Sequence, residues 1–392
     1  MTLFTHDTMG ERLALTQKTA QAFKARAHHH DQNNTFPFEN IEDLKRIAYP
    51  ALTLSTEYGG IGVTLEEMLR HQAIIAENDA ATALAIGWHI GMSKQLSDER
   101  PWAETTFREF AKDVVAKGAL INSAATEAAT GSPTRGGLPE TTARTTESGW
   151  VITGHKTFTT LSPVLDYFVV SARINDTDEV GQFLVKRTYG GLRIEETWNM
   201  LGMRATGSHD LILDQVSLPK DALLMTKVVN RAPQGWLLHI PAVYYGIAKA
   251  ALSEALEFAA HYAPNSLATG TIGDLPLVQQ KLGQMRAKLI ESEYLLFGVA
   301  RDWDAADAKT RSTLGDALAV TKTSVVNHAI EVVDLAMRLV GARSLSMDNP
   351  LQRLYRDVRA GLHNPPMEDM VYINLAQSAL RTLRENHHAS VI

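Results

Sequence analysis

Two runs of residues in this sequence have types and spacing that could bind a phosphate or a metal, and the lack of cysteine limits the chemistry further. The chain has no cysteine, which excludes a thiolate nucleophile and thiolate metal ligands, so redox chemistry would need a bound cofactor. Gly59-Gly60-Ile61-Gly62 does not lie between a strand and a helix of a βαβ unit, so we predict a structural turn rather than a phosphate loop. His28-His29-His30 would point in three directions on a helix, which predicts an exposed polar patch rather than a metal site.

The composition narrows the class of protein. The chain has 392 residues, 45% of them hydrophobic, and a formal net charge of -6. This length predicts two or three packed units, and the lack of a basic half argues against a nucleic-acid partner. The first residues form no signal peptide, and no uncharged apolar run is long enough for a membrane span. We therefore expect a soluble cytoplasmic protein with no membrane partner.

The elements that would position a site fall into three zones, which we predict to be domains. Residues 1–118 show helical periodicity, and Thr64 before two glutamates is typical of a helix start. One predicted helix face carries Leu65, Met68, Leu69, Ala73 and Ala76. The alanine-rich run Ala80–Ile90 predicts a buried helix.

Residues 119–227 carry short β-rich runs separated by Gly, Thr, Ser and Pro, which predicts a β-barrel. The predicted strands include 150–152, 167–170, 182–185 and 211–213. Residues 228–392 return to long helical segments at 236–262, 277–303, 311–340 and 367–385, which predicts a four-helix bundle, with Pro241 kinking its first helix. Helices, then strands, then helices define an α+β fold.

A set of short motifs follows the same order as motifs of the acyl-CoA dehydrogenase superfamily, and the chain resembles that superfamily over nearly its whole length. The motifs are Glu57–Gly62, Thr126-Glu127 with Gly131-Ser132, Gly149–Lys156, Leu201–Thr206, Val216–Pro219 and Leu354–Asp357. Each alone is a weak signal, but the order and spacing together are specific.

The resemblance implies a flavin-dependent oxidoreductase with a helical N-domain, a central β-barrel and a C-terminal bundle. It implies oxidation of an acyl-CoA at Cα–Cβ, as in fatty acid metabolism, with hydride transfer to flavin N5. Phe158 would be the wall for the flavin ring and Thr160 the partner of N5, while Thr126 and Ser132 would add polar contacts. A homotetramer or dimer with an electron acceptor protein is expected.

The family's carboxylate base is missing from its usual place. Acyl-CoA oxidation needs a base for the α-proton. Counted from Arg356, the position of the usual glutamate falls on Pro365. Relatives with the base on the first helix of the bundle would place it near Trp236, where no carboxylate occurs.

Three explanations stay open. Glu368 or Asp369 could act as the base, or could only favour the start of the last helix. His363 in His363-Asn364-Pro365 is similar to a segment of reduced-flavin monooxygenases of the same fold, where it would assist oxygen transfer, or it could only cap loop carbonyls. In that case a separate reductase would supply reduced flavin. The chain could also bind flavin or acyl-CoA without turnover.

The residues that would hold the adenosine half of the cofactor also depart from the family. Pro276 falls near the family's glutamine position, and Gly341-Ala342-Arg343 replaces a double glycine. FAD is the expected cofactor and FMN the alternative. Arg343 or Arg338 could pair with a pyrophosphate, or be solvated.

Overall fold

The computed structural model describes residues 2–130, 137–175, 177, 179–226 and 232–389. The chain divides into two compact units, residues 1–231 and 232–392. None of the helices in the described ranges has the length and apolarity needed to cross a bilayer. The first unit holds both the N-terminal helices and the strands, and the finer division into three domains remains a prediction.

The N-terminal helices begin where the sequence supplies capping side chains. They are α1 (Met9–Asn33), α2 (Phe38–Arg46), α3 (Leu65–Asn78), α4 (Ala80–Glu99) and α5 (Glu104–Lys117). Thr64 caps α3 by accepting a hydrogen bond from the Glu67 N–H at 3.2 Å, and Asp79 caps α4. The predicted apolar face of α3 is buried, as is most of α4.

Two predictions for this unit had different outcomes. The turn prediction for 59–62 is confirmed: Gly59 and Gly62 have φ values of +82° and +71°, and a Cβ on Gly60 would lie 2.1 Å from the Leu54 carbonyl oxygen. The exposed-patch prediction is wrong for His30, which is only 6% exposed. Its ring nitrogens contact Thr35 Oγ1 and Glu39 Oε1, each at 2.8 Å, because α2 folds back onto the end of α1.

The described strands form one mixed sheet. They are β1 (Ile121–Ala124), β2 (Thr142–Thr146), β3 (Gly149–Thr159), β4 (Tyr167–Ile174), β5 (Val180–Lys186), β6 (Leu192–Glu195), β7 (His209–Pro219) and β8 (Leu223–Met225). The order is β6-β7-β3-β2-β4-β5-β8, with β1 pairing β4. β1 and β2 are parallel to β4, and the other pairs are antiparallel. Among the described strands, the pairing runs from β6 to β8 and does not return to β6. The predicted β-barrel domain is therefore a mixed sheet that strand pairing does not close into a barrel.

The longest strand pair, β3 with β7, positions the candidate site. Its register is interrupted between Ile152 and Gly154 and again between Lys156 and Thr159. Bulges of this kind bend a strand and re-aim its side chains. The second irregularity therefore turns the end of β3 just where the sequence placed its flavin contacts.

The second unit is helical. It contains α6 (His239–His261), α7 (Pro276–Ala305), α8 (Ala308–Arg311), α9 (Gly315–Val340), α10 (Pro350–Val358) and α11 (Glu368–Ala389). The four long helices confirm the predicted helical region. The predicted kink at Pro241 is absent because a 3-10 turn over Gly235–Leu238 precedes α6, which leaves Pro241 in the first turn, where a missing N–H costs no helical bond.

A bidentate ion pair ties α1 to α3 in the first unit. The Arg12 guanidinium lies 2.6 Å and 2.9 Å from the two carboxylate oxygens of Glu67. Burial alone would raise the pKa of Glu67, but hydrogen bonds from His71 and Arg12 outweigh it and lower that pKa to about 2. The folded-state pKa is below the unfolded one, so the pair stabilises above the unfolded value near 4.5, and the stabilisation is lost as the pH falls toward 2.

We predict that Arg12→Met lowers the free energy of unfolding by about 2 kcal/mol at pH 7, and that this deficit shrinks as the pH falls below about 4.5. Urea unfolding of both proteins between pH 7 and pH 3 measures it. A deficit that stays constant over that range would show that Glu67 does not carry the effect.

Candidate functional site

An exposed aromatic ring stands at the end of β3. Phe158 is 54% exposed and has a φ of +55°, an uncommon backbone conformation for a bulky residue. Its ring meets that of Trp198 edge to face, with centroids 5.5 Å apart. Trp198 is fixed in turn, because its carbonyl accepts from Asn34 Nδ2 at 2.6 Å and its indole N–H donates to the Met203 carbonyl at 3.0 Å.

Strained backbone conformations cluster at this place. Leu161 and Met203 also have positive φ values, +70° and +52°. The Leu161 N–H donates to the Thr206 carbonyl at 3.1 Å, which links the turn after β3 to the segment before β7. Each such residue costs on the order of 1–3 kcal/mol, and such residues concentrate at functional sites.

Three hydroxyl groups form a chain beside Phe158. Thr160 Oγ1 lies 2.8 Å from Ser208 Oγ, which lies 2.8 Å from Thr206 Oγ1. Thr206 Oγ1 donates to the Met203 carbonyl at 3.0 Å. Thr206 and Ser208 are buried, whereas Thr160 is half-buried. Thr160 is therefore the end of the chain that can meet a ligand.

The segment that carries Thr126 is anchored to β3 by a buried ion pair. The Thr126 carbonyl accepts from the Thr157 N–H at 2.9 Å, and Lys156 Nζ donates to Glu127 Oε1. Both charged side chains are almost fully buried. Burial lowers the pKa of Lys156. Burial opposes ionisation of Glu127 too, but Lys156 and Thr141 outweigh it and lower the pKa of that carboxyl.

Of the four residues predicted to contact the flavin from this unit, the structure brings together three. Phe158 and Thr160 lie on the same turn at the end of β3. The Thr126 carbonyl contacts this turn by accepting from the Thr157 N–H. Ser132 lies outside the described residues. Trp198 and Ser208 were not predicted from the sequence. The sequence signal for Ser208 was the run Thr206-Gly207-Ser208, which continues the recognised motif at 201–206.

In the second unit, Glu368 is the first residue of α11 and is held by two donors. Its Oε1 accepts from Asn327 Nδ2 at 2.9 Å and from the Tyr372 hydroxyl at 2.8 Å. Asn327 lies on α9 and Tyr372 one turn along α11, so Glu368 fastens the start of α11. Asp369 is exposed, and its carboxylate accepts the N–H of Met370.

The loop that carries His363 is held on both sides of that residue. Lys322 Nζ on α9 donates to the Gly361 carbonyl at 3.0 Å, and the Tyr244 hydroxyl on α6 donates to Asn364 Oδ1 at 2.5 Å. Burial lowers the pKa of Lys322 to about 8, with Glu368 acting in the opposite direction. The His363 side chain itself is exposed, while the main-chain N–H of His363 donates to the Ala360 carbonyl.

Arg343 is placed away from Glu368. Its guanidinium lies over the Tyr262 ring, 4.4 Å from the centroid, in the 3-10 segment Gly341–Leu345 that follows α9. Asn327, the partner of Glu368, lies 13 residues before the end of α9 at Val340, about 20 Å along the helix axis. Arg343 is exposed, and its guanidinium stacks on the Tyr262 ring.

The residues at the end of β3 fit a flavin. A flat apolar ring with a polar edge needs an exposed aromatic wall and hydrogen-bonding groups beside it. Phe158 offers the wall, and Thr160 offers the hydroxyl. A flavin oxidoreductase built from helices and a mixed sheet is the class that this fold and these side chains define.

Comparison with known proteins specifies the family. The acyl-CoA dehydrogenase middle-domain model matches residues 122–216, and the C-terminal-domain model matches 238–364. YdbM of Bacillus subtilis (strain 168), provisionally named an acyl-CoA dehydrogenase, is 48% identical over 93% of this chain and 95% of its own length. The chain therefore belongs to the acyl-CoA dehydrogenase family, whose members are flavin-dependent.

Other relatives carry different activities in their names. L-evernosamine nitrososynthase of Micromonospora sp. is 29% identical over 94% of this chain and 89% of its own length. KijD3, solved in complex with FMN and a dTDP-amino-keto sugar, is 25% identical with a TM-score of 0.82, covering 95% of this chain and 93% of its own. The reaction of this chain thus needs an argument of its own.

We predict that Lys156→Met lowers the free energy of unfolding by about 3–5 kcal/mol, because it leaves the Glu127 charge buried and unpaired. Adding Glu127→Gln should recover part of that loss, because it removes the unpaired charge and keeps an oxygen for the N–H groups of Glu140 and Thr141. Lys186→Met is the control, since its pair with Glu109 is more exposed and should contribute below about 1 kcal/mol. Urea unfolding measures all three, and equal losses at 156 and 186 would contradict the assignment.

Proposed function

We propose that this protein is a reduced-flavin-dependent monooxygenase that transfers one oxygen atom of O₂ to a small organic substrate. The observation that carries the proposal is that Glu368, the carboxylate nearest along the chain to the family's base position at Pro365, is already engaged. Its Oε1 already accepts from Asn327 and Tyr372. These two donors, from α9 and from the next turn of α11, orient the Glu368 side chain and favour a structural role for it at the start of α11.

The family's usual base position supports the same conclusion. It falls on Pro365, which has no ionisable group. The loop around it is fixed by Lys322 at Gly361 and by Tyr244 at Asn364. A Cβ on Gly361 would lie 2.8 Å from Val326 Cγ1 and 3.0 Å from Tyr244 Cζ. The loop at the family's base position is therefore closely packed, and residues 359–367 carry no carboxylate.

Bound reduced flavin supplies two electrons, so that one atom of O₂ goes to the substrate and the other leaves as water. The protein's part is to hold the ring, exclude water and move a proton. Phe158 and Thr160 would hold the ring. His363 would exchange the proton, since its imidazole is exposed on a loop whose backbone is fixed on both sides.

We propose FMN rather than FAD as the cofactor. The FMN-bound relative supports this choice. Of the two arginines that could pair with a pyrophosphate, Arg343 and Arg338, the first is stacked on Tyr262, and a proline begins α7 near the family's glutamine position. A separate reductase would deliver the reduced FMN, and the active form would be a homo-oligomer.

A second candidate function is acyl-CoA dehydrogenation with Glu368 as the base. The 48% identity to YdbM favours it. In that reaction Glu368 would take the α-proton while the hydride goes to the flavin, and an electron acceptor protein would reoxidise the cofactor.

Oxygenation can be tested directly with the full chain. The protein would be supplied with FMN, a general flavin reductase and NADH, and incubated with a panel of amines and aromatic heterocycles. A product one oxygen atom heavier than its substrate, and labelled by ¹⁸O₂, supports the proposal. Labelled product that forms equally without the protein, or unsaturated acyl-CoA formed from thioesters, counts against it.

Three substitutions separate the two candidates. We predict that Glu368→Gln, whose amide oxygen can still accept from Asn327 and Tyr372, keeps oxygenation within about threefold of wild type, while His363→Ala lowers it roughly 100-fold. Asp369→Asn is the matched control on the neighbouring exposed carboxylate. Loss of activity in Glu368→Gln alone would instead assign Glu368 as the base.

We further predict that Phe158→Ala weakens FMN binding about tenfold, because the ring loses its wall. The exposed ring contributes little to stability, so thermal unfolding should hardly change. Phe38→Ala is a matched control: Phe38 is 53% exposed and meets Phe36 edge to face. Quenching of FMN fluorescence gives both affinities, and equal affinities would remove Phe158 from the site.

A further inference from the structure

Trp198 is held by three hydrogen bonds, and one of them uses a group that can gain a proton. Its carbonyl accepts from Asn34 Nδ2 at 2.6 Å, and its indole N–H donates to the Met203 carbonyl at 3.0 Å. The main-chain N–H of Trp198 donates to Nδ1 of His209 at 3.1 Å. An amide and a carbonyl keep their hydrogen-bonding character at all ordinary pH values, whereas an imidazole does not.

His209 connects the two aromatic residues of the candidate site. It is the first residue of β7 and pairs with Thr159 of β3, the residue that follows Phe158. Its side chain reaches the segment before β7, where Trp198 lies. The rings of Trp198 and Phe158 meet edge to face with centroids 5.5 Å apart. His209 therefore joins the strand that carries Phe158 to the segment that carries Trp198.

The contact with Trp198 fixes the protonation state of His209. A main-chain N–H can only donate, so Nδ1 of His209 must offer a lone pair, and the single hydrogen of the neutral ring is then on Nε2. A second proton would have to bind at Nδ1, where it would face the Trp198 N–H. The hydrogen bond therefore exists only while His209 is neutral.

The surroundings of His209 favour this neutral form. Its side chain is half-buried, and burial lowers its pKa, while the charges of Glu196 and Asp210 act in the opposite direction. Glu196 is exposed, and the Asp210 carboxylate is already paired with His155 Nε2 at 2.8 Å. The net result is a pKa below the ordinary value of 6.5, so His209 is neutral at pH 7 and gains a proton only in acid.

We infer that His209 is a positioning residue for the flavin wall: neutral His209 holds Trp198 against Phe158, and protonation of His209 releases Trp198. This inference rests on the proposed flavin site at Phe158 and Thr160. The role of His209 is exerted through Trp198 and requires no contact with the cofactor. FMN affinity should therefore fall as the pH falls through the pKa of His209, because Phe158 loses the ring that supports it.

The test measures the FMN affinity of the full-length protein by fluorescence quenching at pH 8 and at pH 5. The FMN phosphate itself gains a proton at about pH 6, so variants are compared with wild type at the same pH. His209→Asn keeps an acceptor as many bonds from Cα as Nδ1 is, but does not titrate. We expect the two proteins to bind alike at pH 8, and wild type to bind about fivefold more weakly than His209→Asn at pH 5.

Two further variants separate this role from a merely structural one. His209→Leu removes the acceptor and should bind FMN about fivefold more weakly than His209→Asn at both pH values. His155→Gln is the matched control, because it removes a more exposed histidine from the same pair of strands, and its amide can still donate to Asp210. Its affinity should follow that of wild type at both pH values. If His209→Leu does not fold, His209→Asn still carries the test.

A readout without flavin distinguishes failure of this inference from failure of the proposed site. Tryptophan fluorescence of the unliganded protein should change between pH 8 and pH 5 in wild type, and this change should be largely lost in Trp198→Phe and in His209→Asn. An equal change in all three, or the same ratio of wild-type to His209→Asn affinity at both pH values, would overturn the inference. The expected fluorescence without FMN binding at either pH would overturn the proposed flavin site, and the role of His209 in it.

Discussion

The ion pair between Lys156 and Glu127 is the constraint on which the first unit's site depends. Burying two charged groups costs free energy unless they pair with each other. The pair therefore holds both side chains in one position. Glu127 also accepts from the N–H groups of Glu140 and Thr141. The Glu127 carboxylate thus holds β3 through Lys156. It also holds the residues just before β2 through the N–H groups of Glu140 and Thr141. Phe158 and Thr160 follow Lys156 by two and four residues, so their positions derive from this pair.

A second constraint acts in the C-terminal unit, where the loop at the family's catalytic position is shaped by contacts from neighbouring helices. Lys322 and Tyr244 reach it from α9 and α6, and Gly361 lets the backbone approach both helices. Between Gly361 and Pro366 the one ionisable side chain is the imidazole of His363, which is exposed. Under the proposed function, the His363 imidazole on this loop would exchange a proton during oxygen transfer.

Much of the fold could be predicted from the sequence, because periodicity and capping are local. Thr64 starts α3 and the predicted apolar face of that helix is buried, as the spacing requires. The partners of single side chains were harder. His30 looked exposed because its neighbours are polar, yet α2 covers it. Glu368 looked like a base or a helix-start residue with equal reason, since Asn327 lies 41 positions earlier in the chain.

The hydroxyl chain lies beyond sequence reasoning for a similar reason. Thr160 and the motif that ends at Thr206 could be recognised in the sequence, but their contacts with Ser208 depend on the pairing of β3 with β7 and on the positive φ at Leu161 and Met203. The measurement that most directly tests the central claim is a visible spectrum of the FMN-loaded protein during anaerobic addition of acyl-CoA thioesters. A monooxygenase predicts that the flavin stays oxidised with every thioester. Bleaching of the oxidised band by one of them would contradict the account and establish a dehydrogenase.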